Sequence, residues 1–196
     1  MPSKLEKSNS PRLKTHYLEY VVPKLMEKYN LKNPMSAPKL QKIVLNIGLS
    51  DAKENIKVVD SALAEVSSIT GQRPIVTRSK KSISNFKIRQ GMPIGLKVTL
   101  RRDRMYEFCD RLVTAAIPRI RDFRGLEPNG FDGNGNYNLG LTEQHIFLEI
   151  NLEKSEKIRG MNITFVTSAQ NDDQAKTLLD LFGFPFKKRK GQEAEA

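Results

Sequence analysis

The chain has 196 residues, a net charge of +11 and 38% hydrophobic residues, which suits a single globular domain with its own core and excludes a wholly disordered chain. Residues 1–124 carry 25 basic against 11 acidic side chains and residues 125–186 only 4 against 9, so the basic surface is regional and points to nucleic acid or an anionic membrane. With no apolar run long enough to span a bilayer, no lipidation signal and no aromatic-anchored amphipathic helix, the membrane is disfavoured; the lone Cys109 excludes an internal disulfide or thiolate metal cluster.

Ser10 and Pro11 read as the N-cap and first position of a helix with a Leu13, Tyr17, Tyr20, Val21 stripe, kinked or restarted at Pro23 and running to Tyr29. Residues 42–48, KIVLNIG, read as a strand with Ile43, Leu45 and Ile47 on one face and Lys42, Val44 and Asn46 on the other. Asp51 and Glu54 form a capping box for a helix carrying Ile56, Val59, Leu63 and Val66, which stops at Gly71. PIVTR, residues 74–78, is a short strand. The stretch from Thr77 to Arg104 holds nine Lys and Arg against the single acid Asp103. Its first half is polar and punctuated by Gly and Pro, and its second half alternates Leu96, Val98 and Leu100 with Lys97, Thr99 and Arg101, a half-buried strand offering its charged side to an anion.

Asp103 then caps a helix whose Met105, Phe108, Leu112 and Ala115 face inward until Pro118. Residues 120–144 are too rich in Gly and Asn for a regular element and read as a functional loop. HIFLEI and MNITFVTS read as strands, and Asn171 with Gln174 opens a last helix that stops at Gly183. Strands with one polar face cannot be doubly covered, so the expected fold is α+β, an antiparallel sheet with helices on one face. The open face then carries Lys42, Asn46, Lys97, Thr99, Arg101, Asn162 and Thr164. Residues 1–10 read as a flexible arm, 11–186 as one domain, and 187–196 as a basic and then disordered tail.

Asn, Thr, Lys and Arg at outward positions, in place of aromatics, disfavour single-strand stacking and suit the phosphates, 2′-hydroxyls and shallow groove edges of folded RNA. The plain alternative is a solvated sheet face, against which the adjacent basic stretch weighs. Asp132, Asn134, Asn136 and Glu143 fall at ligand positions of an EF-hand loop, but Tyr137 stands where the turn needs glycine and no helix precedes it, so no metal is expected. Gly133 and Gly135 begin a dinucleotide-type motif that Asn138 breaks. His16 and His145 lie in different elements with no nucleophile at a motif spacing, so no catalytic residue, cofactor or small-molecule substrate is expected. A free-standing RNA chaperone or regulator, and an enzyme with an unrecognised site, stand as alternatives.

The strings ITGQRPIVTRSKKSISNFKIRQGMPIGLKVTLRRDRM, PRIRDFRGL, FDGNGNYNLGLTEQ and LFGFPFKK closely resemble the bacterial-type family of 5S rRNA-binding large-subunit ribosomal proteins, the fifth of that subunit's numbered set, from about Tyr17 to Lys188. The resemblance implies an RRM-like or ferredoxin-like sheet, 5S rRNA as ligand and a place in the central protuberance beside 23S-type rRNA and neighbouring 5S-binding ribosomal proteins. It implies 5S contacts at Asn46, Gln72 and Thr99, to which the open-face reading adds Lys42, Lys97 and Arg101. It further implies a loop, Arg78 to Gly91, that approaches peptidyl-site tRNA through Arg78, Lys80, Lys81, Ser82 and Lys87. Asp132, Asn134, Asn136 and Tyr137 match the part that bridges to small-subunit head proteins. The family usually reads Arg at Asn134 and Pro at Leu148. A ribosome in the cytoplasm is the default location, with an organellar ribosome left open.

Overall fold

The computed structural model describes residues 10–53, 57–150 and 157–187, so residues 1–9 of the arm, 188–196 of the tail, and Glu54 and Ile56 of the third helix lie outside it. Strands β1 (Leu40–Gly48), β2 (Ile75–Arg78), β3 (Pro93–Leu100), β4 (Tyr137–Leu141) and β5 (Met161–Thr167) form one sheet in the order β2-β3-β1-β5-β4. Every pairing is antiparallel, and the fold is the expected α+β, ferredoxin-like arrangement.

Alternation fixes the two faces. Ile43, Leu45, Ile47, Leu96, Val98, Leu100, Ile163 and Phe165 are buried and meet the helices α1 (Arg12–His16), α2 (Val22–Tyr29), α3 (Lys57–Thr70), α4 (Arg102–Arg111) and α5 (Asp172–Leu181) in one core. The C-terminal segment closes that core: Phe165 meets Phe184 edge-on at 5.1 Å, Tyr137 meets Phe186 at 5.2 Å, and Leu126 bridges Phe186.

Two prolines reshape the helices that precede them. Pro23 and Pro118 cannot donate to the carbonyl four residues back, and before each the chain widens into a π turn, Tyr17–Val21 and Leu112–Ala116. The extra residue shifts the inward register. Leu13, Tyr17, Val21 and Leu25 are buried at a spacing of four, while Tyr20 is turned out; likewise Ala116 is buried where simple helical spacing placed Ala115.

Several expected caps and strands are corrected. HIFLEI is a 3-10 turn (Gln144–Ile146) followed by a bend, and the sheet takes YNLGL as β4 instead, out of a segment read as irregular. Asp51 sits in a 3-10 turn, Ser50–Lys53, ahead of α3, where it accepts from Ser50 Oγ at 3.0 Å and pairs with Lys157 at 2.6 Å; its expected capping-box partner Glu54 lies outside the described residues. Arg101, with extended backbone, occupies the N-cap of α4 that Asp103 was expected to fill. At α5 the Gln174 carboxamide accepts from Gln170 N at 3.2 Å and not from Asn171. Gly71 and Gly183 do terminate α3 and α5, both with positive φ.

Candidate nucleic-acid interface

Strand register assembles the open face in rows. Asn46 lies opposite Lys97 on β3 and Asn162 on β5, and Val44 lies opposite Thr99 and Thr164. Lys97 is in turn opposite Ile75, which is 72% exposed at the sheet edge, and Asn162 is opposite Gly140. Lys42 sits where β1 bulges against β5, opposite Val166, and Arg101 follows β3 in extended conformation at the exposed end of the same face. Gln72, just beyond α3, donates from Nε2 to the Thr99 carbonyl at 3.4 Å, so the three positions implied by resemblance, Asn46, Gln72 and Thr99, come together across β1 and β3.

What distinguishes this face is its unspent hydrogen-bonding capacity. On β4 and β5 the Thr164 hydroxyl donates to Asn138 Oδ1 at 2.7 Å. Among the described residues, the side chains of Lys42, Asn46, Lys97, Thr99, Arg101 and Asn162 make no hydrogen bond or ion pair within the chain. The chain leaves β3 through Arg102, whose φ of 54° makes a sharp left-handed turn and sets Arg101, Arg102 and Arg104 exposed at one end of the sheet.

The basic loop between β2 and β3 is a built hairpin. Ser79 N donates to Met92 O at 2.8 Å, Ile83 and Ile88 exchange both backbone hydrogen bonds, and Lys87 turns the tip with φ 52°. Arg78 Nη1 donates to Gly91 O at 2.9 Å and the Ser82 hydroxyl accepts from Gln90 N at 3.0 Å, so these two side chains brace the loop. Lys80, Lys81, Lys87 and Arg89 are exposed, with Phe86 61% exposed at the tip.

The Asp132 loop is equally self-contained. Asp132 accepts from the backbone N–H groups of Asn134 and Asn136 at 2.9 and 3.1 Å and from the Asn136 carboxamide at 2.8 Å, while Asp172 accepts from Gly133 N and Gly135 N. Those bonds, that from the Asn136 side chain foremost, hold the Asp132 carboxyl below its ordinary range. Asn134 is exposed, whereas Tyr137 is turned inward: it is 1% exposed, its hydroxyl donates to Glu127 O, and burial pushes its pKa up to about 12. Its ring belongs to the core. Because folding depresses the Asp132 pKa, the loop is expected to hold its order above the unfolded carboxylate value of about 3.9 and lose it as pH falls through the lower folded value. Asp132→Ala should loosen it at neutral pH, read as faster amide exchange at Asn134 and Asn136 with unchanged RNA binding; protection equal to the parent's would show that Asp172 and the glycine turns hold the loop without Asp132.

Sequence models of the families described as "Ribosomal protein L5" and "ribosomal L5P family C-terminus" match residues 33–89 and 93–186. The protein named "Large ribosomal subunit protein uL5" from Caldanaerobacter subterraneus subsp. tengcongensis is 58% identical over 177 residues, covering 90% of this chain and 99% of its own. The chain belongs to the ribosomal protein L5 family. Proteins of the same name from Geotalea uraniireducens (57% identical over 176 residues, 90% of this chain and 98% of theirs) and Kocuria rhizophila (54% over 187 residues, 95% and 99%) also match it over most of its length. Membership makes this L5-family chain a structural protein of the ribosome and not an enzyme.

Proposed function

We propose that the chain is a constituent of the large ribosomal subunit that binds 5S rRNA on its open sheet face and anchors it in the central protuberance, on cytoplasmic ribosomes. The observation that carries this reading is the set of unpartnered cations, amides and hydroxyls on that face, in register across β3, β1 and β5. Burying such groups without partners is costly, so their natural complement is a polyanion with many acceptors and 2′-hydroxyls. The braced hairpin, with Lys80, Lys81 and Lys87 outward, forms a second surface, directed at peptidyl-site tRNA. The Asp132 loop, rigid and acidic, forms a third, suited to basic small-subunit head proteins through Asp132 and Asn134. Contacts with 23S-type rRNA and neighbouring 5S-binding proteins complete the setting. Residues 11–186 act as one unit, since β1 lies between β3 and β5, the latter from near the far end of that range.

The test separates the first two surfaces. Thr99→Val keeps shape and charge but removes a hydroxyl, so it should cost about 1–3 kcal/mol of 5S rRNA affinity in a gel-shift assay with competitor tRNA, with the salt slope unchanged. Lys80→Ala with Lys81→Ala should leave isolated 5S binding within about a few tenths of a kcal/mol yet weaken tRNA retention by assembled particles. A double variant that loses 5S rRNA with a slope reduced by about two would place the hairpin inside the 5S site. Equal binding to tRNA and 5S rRNA would favour a chaperone.

A further inference from the structure

The alternation that turns Lys42, Val44 and Asn46 outward also turns out Gly48, the last residue of β1, which is exposed. A Cβ built at Gly48 meets no atom within 4 Å, and its φ lies outside the left-handed region, so nothing in the fold calls for glycine. Glycine is among the poorest strand formers, and an alanine Cβ would stand in open space here. Gly95, opposite on β3, is a different case: a Cβ there would stand 2.5 Å from the Ile47 carbonyl, so the strand pairing itself requires glycine. Gly48 thus leaves a floor of bare β1 backbone one strand wide, bordered by Gly95, which is buried and has the Thr77 hydroxyl 3.1 Å from where its Cβ would stand. Asn46 and Lys97 stand in the adjacent row, with Asn162 beside Asn46 on β5. Past Gly48 the floor falls into a cavity of about 190 Å³ walled by Ser50, Asp51, Lys157 and Gly160.

We propose that Gly48 is a contact residue of the RNA site, where the absence of a side chain lets a ribose–phosphate strand of folded RNA lie directly on the β1 backbone. The proposal rests on the open-face reading above. Bases unstacked from their neighbours would need an aromatic platform, and the outward side chains around Gly48 include none: Asn46, Lys97 and Asn162 are amide and ammonium, and Val44 and Ile75 are aliphatic. A ribose–phosphate strand at contact distance instead finds the Asn46 and Asn162 amides for its 2′-hydroxyls and the Lys97 ammonium for its phosphate. Charge steering brings the RNA in, and the missing side chain sets how closely it seats.

The test uses the full chain and a 5S rRNA transcript, comparing Gly48→Ala, Gly48→Val and Asn46→Asp by gel shift across a salt series, with thermal melts alongside. Gly48→Val should melt at or above the parent temperature yet bind about tenfold more weakly, and Gly48→Ala a few-fold more weakly, with salt slopes unchanged because no charge moves. Parent affinity in both glycine variants, with Asn46→Asp weakened, overturns the inference and leaves the open-face reading standing. Parent affinity in all three overturns that reading itself. A lowered melting temperature in both glycine variants also sinks the inference, because the glycine would then serve the fold.

Discussion

Phe165→Ala is expected to lower the unfolding free energy by about 3–5 kcal/mol, the largest single effect on stability anticipated for this chain. Phe165 is fully buried, lies opposite Ile43 in the middle of the sheet, and supports Phe184 edge-on and Tyr137 at 6.3 Å. Its removal leaves a void that these rings cannot fill without moving the C-terminal segment, so both transfer energy and packing are lost. Against a total stability of about 5–15 kcal/mol the loss is a large fraction. Urea unfolding should show a lower midpoint at unchanged slope, and the melting temperature should fall by about 10 °C. Leu148→Ala serves as the comparison, because Leu148 is 69% exposed and should change stability by no more than about 0.5 kcal/mol. A Phe165→Ala variant within that same margin would mean that the aromatic cluster does not hold the C-terminal segment to the sheet.

The sheet was legible wherever the alternation was long. β1 and β3 each run through several inward and outward positions, so the outward placement of Lys42, Asn46, Lys97 and Thr99 follows from period two alone. β4 was missed although Tyr137, Leu139 and Leu141 alternate in the same way, because its outward positions, Asn138 and Gly140, continue the Gly and Asn composition of the loop before it. Composition outweighed periodicity there. HIFLEI failed for the opposite reason: its apolar residues suggested a strand, but Ile146 and Phe147 are adjacent and both buried, a spacing that fits a tight turn. Position in the fold also supplied what no local pattern carries, namely the approach of Gln72 to Thr99 and the exposure of Ile75 beside Lys97. Gly48 escaped notice because a strand's final glycine reads as a stop until the space above it is known.

The largest effect on binding should come from Lys97→Glu combined with Arg101→Glu. Both side chains are exposed on the open face and both lack an internal ion-pair partner among the described residues; Lys97 stands in the row of Asn46 and Asn162, and Arg101 at the end of β3 beside Arg102 and Arg104. If each meets one phosphate, the pair accounts for a salt slope of about two, which at 0.1 M salt corresponds to about two orders of magnitude in affinity before the repulsion of the new carboxylates is added. Neither residue is buried, so stability should stay within about 0.5 kcal/mol of the parent and the loss can be read as binding alone. The difference between variant and parent should narrow as salt rises, because the missing interactions are screened ones. That convergence separates this variant from Thr99→Val, whose deficit should persist at every salt concentration. A charge-reversed protein that melts like the parent and binds 5S rRNA with the parent's affinity and slope would move the RNA off the sheet face altogether. The basic hairpin, with Lys80, Lys81 and Lys87 exposed, would then be the first cationic surface to test in its place.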